Sequence, residues 1–174
     1  MTRAPLMQST ALLVMMALTA ALVAAAGVAG ADEAPAILGW VEEVSILDTG
    51  LVLPAKIDTG ADNSSIHASA ISYVTHDGNP WVRFTLRDRA GVEVVMERPL
   101  IRLGQIKRKE GGYLERPVVS LGLCVAGQRV TAEVNLADRN HFTYPMLVGR
   151  SLMVRRFVVD PNRRYITRPT CAAV

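Results

Sequence analysis

From Ile37 onward the apolar residues recur at every second position in short runs, and no segment carries the spacing of a long amphipathic helix. Val82, Phe84 and Leu86 alternate with Arg83, Thr85 and Arg87. Val130, Ala132, Val134 and Leu136 alternate with Thr131, Glu133 and Asn135. This is the period of strands that bury one face, and both segments read as antiparallel. Turn residues punctuate the runs at Asp77-Gly78-Asn79-Pro80, Gly111-Gly112, Gly127-Gln128 and Pro161-Asn162. Many short strands joined by such turns predict an all-β fold, a small closed barrel or sandwich. One short helix is expected, from Gly149 to about Val154. With no tandem repeat and no low-complexity linker, the chain reads as one domain.

The first 31 residues read as an address. Arg3 supplies a positive start, Ala11 to Ala26 is almost unbroken apolar sequence, and Ala29-Gly30-Ala31 is a small-residue cleavage site before Asp32-Glu33. The expectation is a signal peptide over 1–31, an exported protein, and a domain over 32–174. The alternative is an uncleaved membrane anchor, since the run approaches the roughly 20 residues that span a bilayer. The abundance of Ala and the breaks at Gly27 and Gly30 favour cleavage, after which no membrane span is expected.

The chain carries 19 basic against 16 acidic residues, and loses one positive charge with Arg3. Its basic residues are scattered apart from Lys107-Arg108-Lys109 and Arg163-Arg164, so no nucleic-acid partner is expected. The two cysteines, Cys124 and Cys171, would lie in an oxidising compartment after export. A bridge between them would close a loop of about 48 residues and contribute on the order of 4 kcal/mol. Two unpaired thiols are the alternative, because two cysteines do not make a framework.

Asp-Thr-Gly occurs twice, at 48–50 and 58–60. The tripeptide alone suits a hairpin turn. The first copy joins two strand-like runs, Val41 to Leu47 and Leu51 to Ile57, and reads as that turn. The second ends a strand and continues into small polar residues, Ala61-Asp62-Asn63-Ser64-Ser65. Asp48 and Asp58 cannot pair within one chain: at opposite ends of a strand of about seven residues they stand roughly 20 Å apart. A proton-sharing dyad needs about 3 Å.

Two separated segments, Ile57-Asp58-Thr59-Gly60-Ala61-Asp62 and Met146-Leu147-Val148-Gly149-Arg150-Ser151-Leu152-Met153, resemble the active-site loop and the C-terminal helix segment of retropepsin-type aspartic proteases. A broader likeness takes in Gly39-Trp40-Val41-Glu42, His67-Ala68, Arg116-Pro117-Val118-Val119, Tyr144-Pro145 and Val159-Asp160. It is to the bacterial group named ATP-dependent zinc proteases, which is retropepsin-like. Neither a Walker loop nor His-Glu-x-x-His is present to match that name, and no cofactor or metal is expected.

The resemblance implies a small closed barrel of the acid-protease type, acting on a peptide or protein substrate. Asp58 would be the catalytic carboxylate, Thr59 would brace the loop across a subunit interface, and Gly60 and Ala61 would complete the loop. Asp62 and Arg150 would form a structural ion pair, with Gly149 packed beneath. One Asp58 per chain implies a homodimer with its two-fold axis between the loops. The strand-like runs Phe157 to Asp160 and Tyr165 to Thr167 are candidates for its interface. A flap is expected at Ile106 to Leu114, with Gly111 and Gly112 at a mobile tip; an ordinary solvated hairpin is the alternative.

Two other classes remain open. One is a non-catalytic barrel that binds peptides or an envelope partner. The other is a zinc peptidase, for which His67, His76 and His141 are the only histidines and lack the spacing of a zinc site. Nucleophilic Ser or Cys schemes lack their motifs.

Overall fold

The computed structural model describes residues 34–107 and 111–171. The leader over 1–31 lies outside the described residues, as do Arg108, Lys109 and Glu110 within the flap candidate. The described residues from Pro35 onward form one compact unit.

The described chain is nearly all β. In order it runs β1 (Ala36–Gly39), β2 (Val41–Ile46), β3 (Val52–Ile57), β4 (Ser64–His67), β5 (Ser69–His76), β6 (Asn79–Arg87), β7 (Glu93–Pro99), β8 (Arg102–Lys107), β9 (Tyr113–Val125), β10 (Gln128–Ala137) and β11 (Met146–Val148). A one-turn helix, α1 (Arg150–Met153), and β12 (Phe157–Asp160) follow. The main sheet has seven strands in the order β10-β4-β11-β3-β2-β9-β8, and a further β9–β10 pairing closes all but β8 into a ring. Inside it are Ile46, Leu53, Ile66, Leu121, Leu123, Leu136 and Met146, each almost or wholly buried. Ring closure leaves few unpaired edges, which is how a small β-domain satisfies its backbone donors and acceptors.

The alternating segments behave as their patterns require. In β6, Val82, Phe84 and Leu86 are fully buried while Arg83 and Arg87 are exposed, and the strand is antiparallel to both β5 and β7. β10 departs from the antiparallel expectation on one side: it is antiparallel to β9 but parallel to β4. Alternation reports which face is buried and carries no information about the direction of a neighbour.

The first Asp-Thr-Gly is the β2–β3 hairpin turn. Asp48 and Gly50 both take positive φ (68° and 73°), and the Thr49 hydroxyl donates to the Ile46 carbonyl at 2.8 Å. The cysteines form a disulfide, Cys124–Cys171, with Cα atoms 5.9 Å apart.

The expectation of a second terminal strand at Tyr165 to Thr167 fails. Only β12 is a strand, and it pairs parallel to β1. The backbone of 165–167 is diverted elsewhere: Tyr165 takes a φ of 56°, and the Ile166 and Thr167 N–H groups donate to the carboxylate of Glu42, at 3.2 and 3.1 Å. Glu42 is wholly buried on β2 and also accepts from the Gly39 N–H at 2.6 Å and the Thr167 hydroxyl at 2.8 Å. Donors bonded to a buried carboxylate are not available to a strand ladder.

Candidate active site

The parallel pairing of β11 with β3 sets Met146 beside Ala55 and Val148 beside Ile57. The two segments singled out in the sequence therefore leave the ring side by side. The Asp58 N–H donates to the Val148 carbonyl at 2.9 Å, fixing the start of the loop. Beyond it, the Arg150 and Ser151 N–H groups donate to the Ala61 and Asp62 carbonyls, at 2.8 and 3.0 Å. Gly149 lies between: a Cβ there would stand 2.6 to 2.8 Å from backbone atoms of Asn63 and Asp62. The Gly149 N–H is taken by the buried Ser64 hydroxyl at 3.1 Å. Arg150 forms an ion pair with Asp62 and donates to the Thr59 carbonyl at 2.9 Å, so one guanidinium spans both ends of the loop.

Within this frame the Asp58 carboxylate is held at both oxygens. Oδ1 accepts from the Gly60 N–H at 3.0 Å and Oδ2 meets Lys56 Nζ at 3.1 Å. A Cβ on Gly60 would fall 3.2 Å from Oδ1, so glycine keeps this turn open. The Lys56 contact above all holds the Asp58 carboxyl below its ordinary range, against an opposing push from burial; the Gly60 N–H adds to the lowering. Thr59 is exposed on the outer side of the loop, where a shallow hollow is formed with Val154, Phe157, Val158 and Val159.

The opposite flank is basic. Arg139, in the turn after β10, is almost fully buried; it donates to the Ser65 hydroxyl at 2.9 Å and the Tyr144 carbonyl at 3.3 Å, and lies over the Phe142 ring at 4.5 Å. It makes no ion pair among the described residues. Burial lowers its pKa, nearby Arg116 adds to that, and the charge of Asp58 opposes it. Arg139, Arg116 and Ile106 line an open cavity of about 430 Å³ together with Ala61 and Asp62. Ile106 and Arg116 belong to the β8–β9 hairpin, so the flap candidate rises from the wall of this cavity. Gly111 and Gly112, with φ of 92° and 76°, stand at its far end.

Asp48 is remote in topology, at the other end of β3, where it pairs with Arg98 at 3.6 Å. His67 takes no part in the loop; its Nδ1 accepts from the Arg139 N–H at 2.9 Å and so fixes the turn that presents Arg139. His76 pairs with Glu97 at 2.7 Å on the outlying three-stranded sheet. Among the described residues, no three His, Cys, Asp or Glu side chains gather to hold a metal ion. The sequence reading missed Lys56 and Arg139. Lys56 was detectable, since residues two apart on a strand share a face; Arg139 reaches the site only through the fold.

A closed β ring carrying an Asp-Thr-Gly loop clamped by a Gly-Arg helix start defines a retropepsin-like domain. The chain belongs to the RimB-like family, described as retropepsin-like aspartic endopeptidase RimB, which it matches over residues 37–170. It is 35% identical to the Legionella pneumophila protein Lpg0085, of unknown function, whose crystal structure superposes with a TM-score of 0.67 over 76% of this chain and 98% of that one. Two curated relatives carry the name "Probable alpha-L-glutamate ligase". That of Desulfotalea psychrophila is 34% identical over 135 residues, 75% of this chain, and that of Shewanella halifaxensis 31% identical over 116 residues, 65% of this chain. The aligned part is 29% and 25% of those relatives, so the chain spans less than a third of their length.

Proposed function

We propose that the chain is an exported aspartic endopeptidase that works as a homodimer, each copy giving one Asp58 to a water-activating dyad. The observation that carries this reading is the Asp58 loop: one carboxylate, oriented by the Gly60 N–H on a loop that the Gly149-Arg150 element clamps from both ends. The exposed apolar side chains of Ile37, Val154 and Val158 near the same end of the ring, with Thr59 beside the hollow, support a self-complementary contact at this face.

In such a dimer the two carboxylates share a proton. One takes a proton from a water as the water attacks the peptide carbonyl; the other donates to the carbonyl oxygen. No covalent intermediate forms, and the apparent pKa values belong to the pair. Lys56, Arg116 and Arg139 make the flank basic, which fits a peptide with acidic side chains beside the cleaved bond. The name of the ligase relatives points to glutamate as well.

The test is peptide cleavage by the purified chain. Cleavage should vanish in Asp58→Ala and Asp58→Asn, persist in Asp48→Ala, and withstand chelators. Full cleavage by Asp58→Ala, or loss with chelator and recovery with zinc, would overturn the aspartic reading. A folded chain that binds acidic peptides and cleaves none would make it a binding module.

A further inference from the structure

A site assembled from two identical halves must bring like charges together. Two ionised carboxylates about 3 Å apart repel strongly, and the ordinary remedy is a proton shared between them. Assembly of such a pair above the carboxylate pKa range must then take up a proton from solution. The Asp58 loop contains a second remedy.

Lys56 is two residues before Asp58 at the end of β3, so strand alternation sends both side chains to one face. Its Nζ meets Asp58 Oδ2 at 3.1 Å, the oxygen left free by Gly60. Among the described residues this is its one ion pair. Among the described residues no other charged side chain bonds to Asp58. Arg150, on α1, holds Asp62 and the Thr59 carbonyl. Arg139 holds Ser65 and the Tyr144 carbonyl, with Arg116 of β9 beside it. Of the acidic groups, Asp62 faces Arg150, and Asp138 stands 3.7 Å from His67. Lys56 is thus the cation bonded to the Asp58 carboxylate.

We propose that Lys56 is the counter-ion of the paired site: one ammonium per Asp58 offsets the repulsion between the two carboxylates, so that two copies assemble without taking up a proton. This rests on the dimeric reading of Asp58. Assembly and catalysis then separate in pH. The dimer forms with both carboxylates ionised, and the proton that the chemistry requires enters only as the pH falls. Lys56 is a positioning and charge-balancing residue, distinct from the reacting carboxylates.

Linkage gives the size of the effect. If assembly takes up one proton, the dimer dissociation constant rises tenfold for each pH unit between the carboxyl pKa of the free chain and the pair's upper pKa; where no proton is taken up it is flat. Sedimentation of the chain at constant ionic strength, from about pH 5 to about pH 8, spans the range in which ordinary carboxylates are ionised. The wild type and Lys56→Arg should keep a dissociation constant that changes less than about threefold, whereas Lys56→Met, whose pair must hold a shared proton to assemble, should weaken by roughly tenfold per pH unit until the pH passes the pair's upper pKa. Lys56→Met combined with Asp58→Asn should be flat again, because the charge that demanded a proton is gone. Lys56 is about half exposed, so these variants should fold, which circular dichroism checks. Dimers of wild type and Lys56→Met with the same pH slope would overturn the counter-ion role and leave the paired site standing. Absence of any dimer in either protein would remove both.

Discussion

Replacing Glu42 by alanine tests the internal logic of the fold most directly. The carboxylate is wholly buried and receives four donors, namely the Gly39 N–H, the Ile166 N–H, and the Thr167 N–H and hydroxyl. Only the Gly39 contact is fully enclosed; the other three lie at the protein's edge. A buried donor left unpaired costs about 1–3 kcal/mol, and each donor that water can partly reach loses about 0.5–1.5 kcal/mol. Relief from burying a charge offsets part of this sum, and a loss of about 3 kcal/mol is the expected net. In a domain of this size about 3–4 °C accompanies each kcal/mol, so the melting temperature should fall by about 10 °C. Thermal unfolding by circular dichroism, with the disulfide intact, reads this directly. Glu42→Gln, which keeps the shape and one good acceptor, should lose about half as much. A fall of less than about 2 °C in Glu42→Ala would refute the argument that this carboxylate anchors the C-terminal segment.

Three further outcomes follow from the same contacts. Gly149→Ala places a methyl within 2.8 Å of the Asp62 and Asn63 backbone, which cannot swing aside like a side chain; a loss of about 1–3 kcal/mol in urea unfolding is expected. Cleavage should fall with it, because the displaced residues continue the Asp58 loop. Cys124→Ser with Cys171→Ser should cost on the order of 4 kcal/mol by the loop-closure argument. Combined with Glu42→Ala it should cost less than the sum, since both devices tether the segment after β12; a double-mutant cycle in denaturant measures this coupling. Arg139→Met should leave stability within about 1 kcal/mol, because the lost hydrogen bonds are offset by removal of a buried charge without a carboxylate partner. The same variant should raise KM for acidic peptides more than for neutral ones, as steady-state kinetics on matched peptides would reveal.

Why some features were readable in the residues and others were not has a physical basis. The β6 pattern was legible because alternation is a local property, with buried Val82, Phe84 and Leu86 on one face and charged side chains on the other. The turn role of the first Asp-Thr-Gly was legible from its flanking strands. At 165–167 local propensity misled: Tyr165-Ile166-Thr167 are good strand formers, yet the Tyr165 N–H goes to the Val41 carbonyl, and a buried carboxylate more than a hundred residues earlier claims the donors of Ile166 and Thr167. Tertiary hydrogen bonding outweighs a weak intrinsic preference. The disulfide stood open because pairing depends on Cα separation, which spacing along the chain does not determine.

By itself, the sequence determined the strand-rich class, the distinction between the two Asp-Thr-Gly copies, and the pair of segments that mark the Asp58 loop, since each is written in residues near one another. Only the tertiary structure decided that β11 runs beside β3 and sets Gly149 beneath Asp62 and Asn63, and that β4 lies parallel to β10. It also decided that Arg139 comes to rest on the flank of the Asp58 loop. These depend on ring closure, which places groups by the register of paired strands rather than by their distance along the chain.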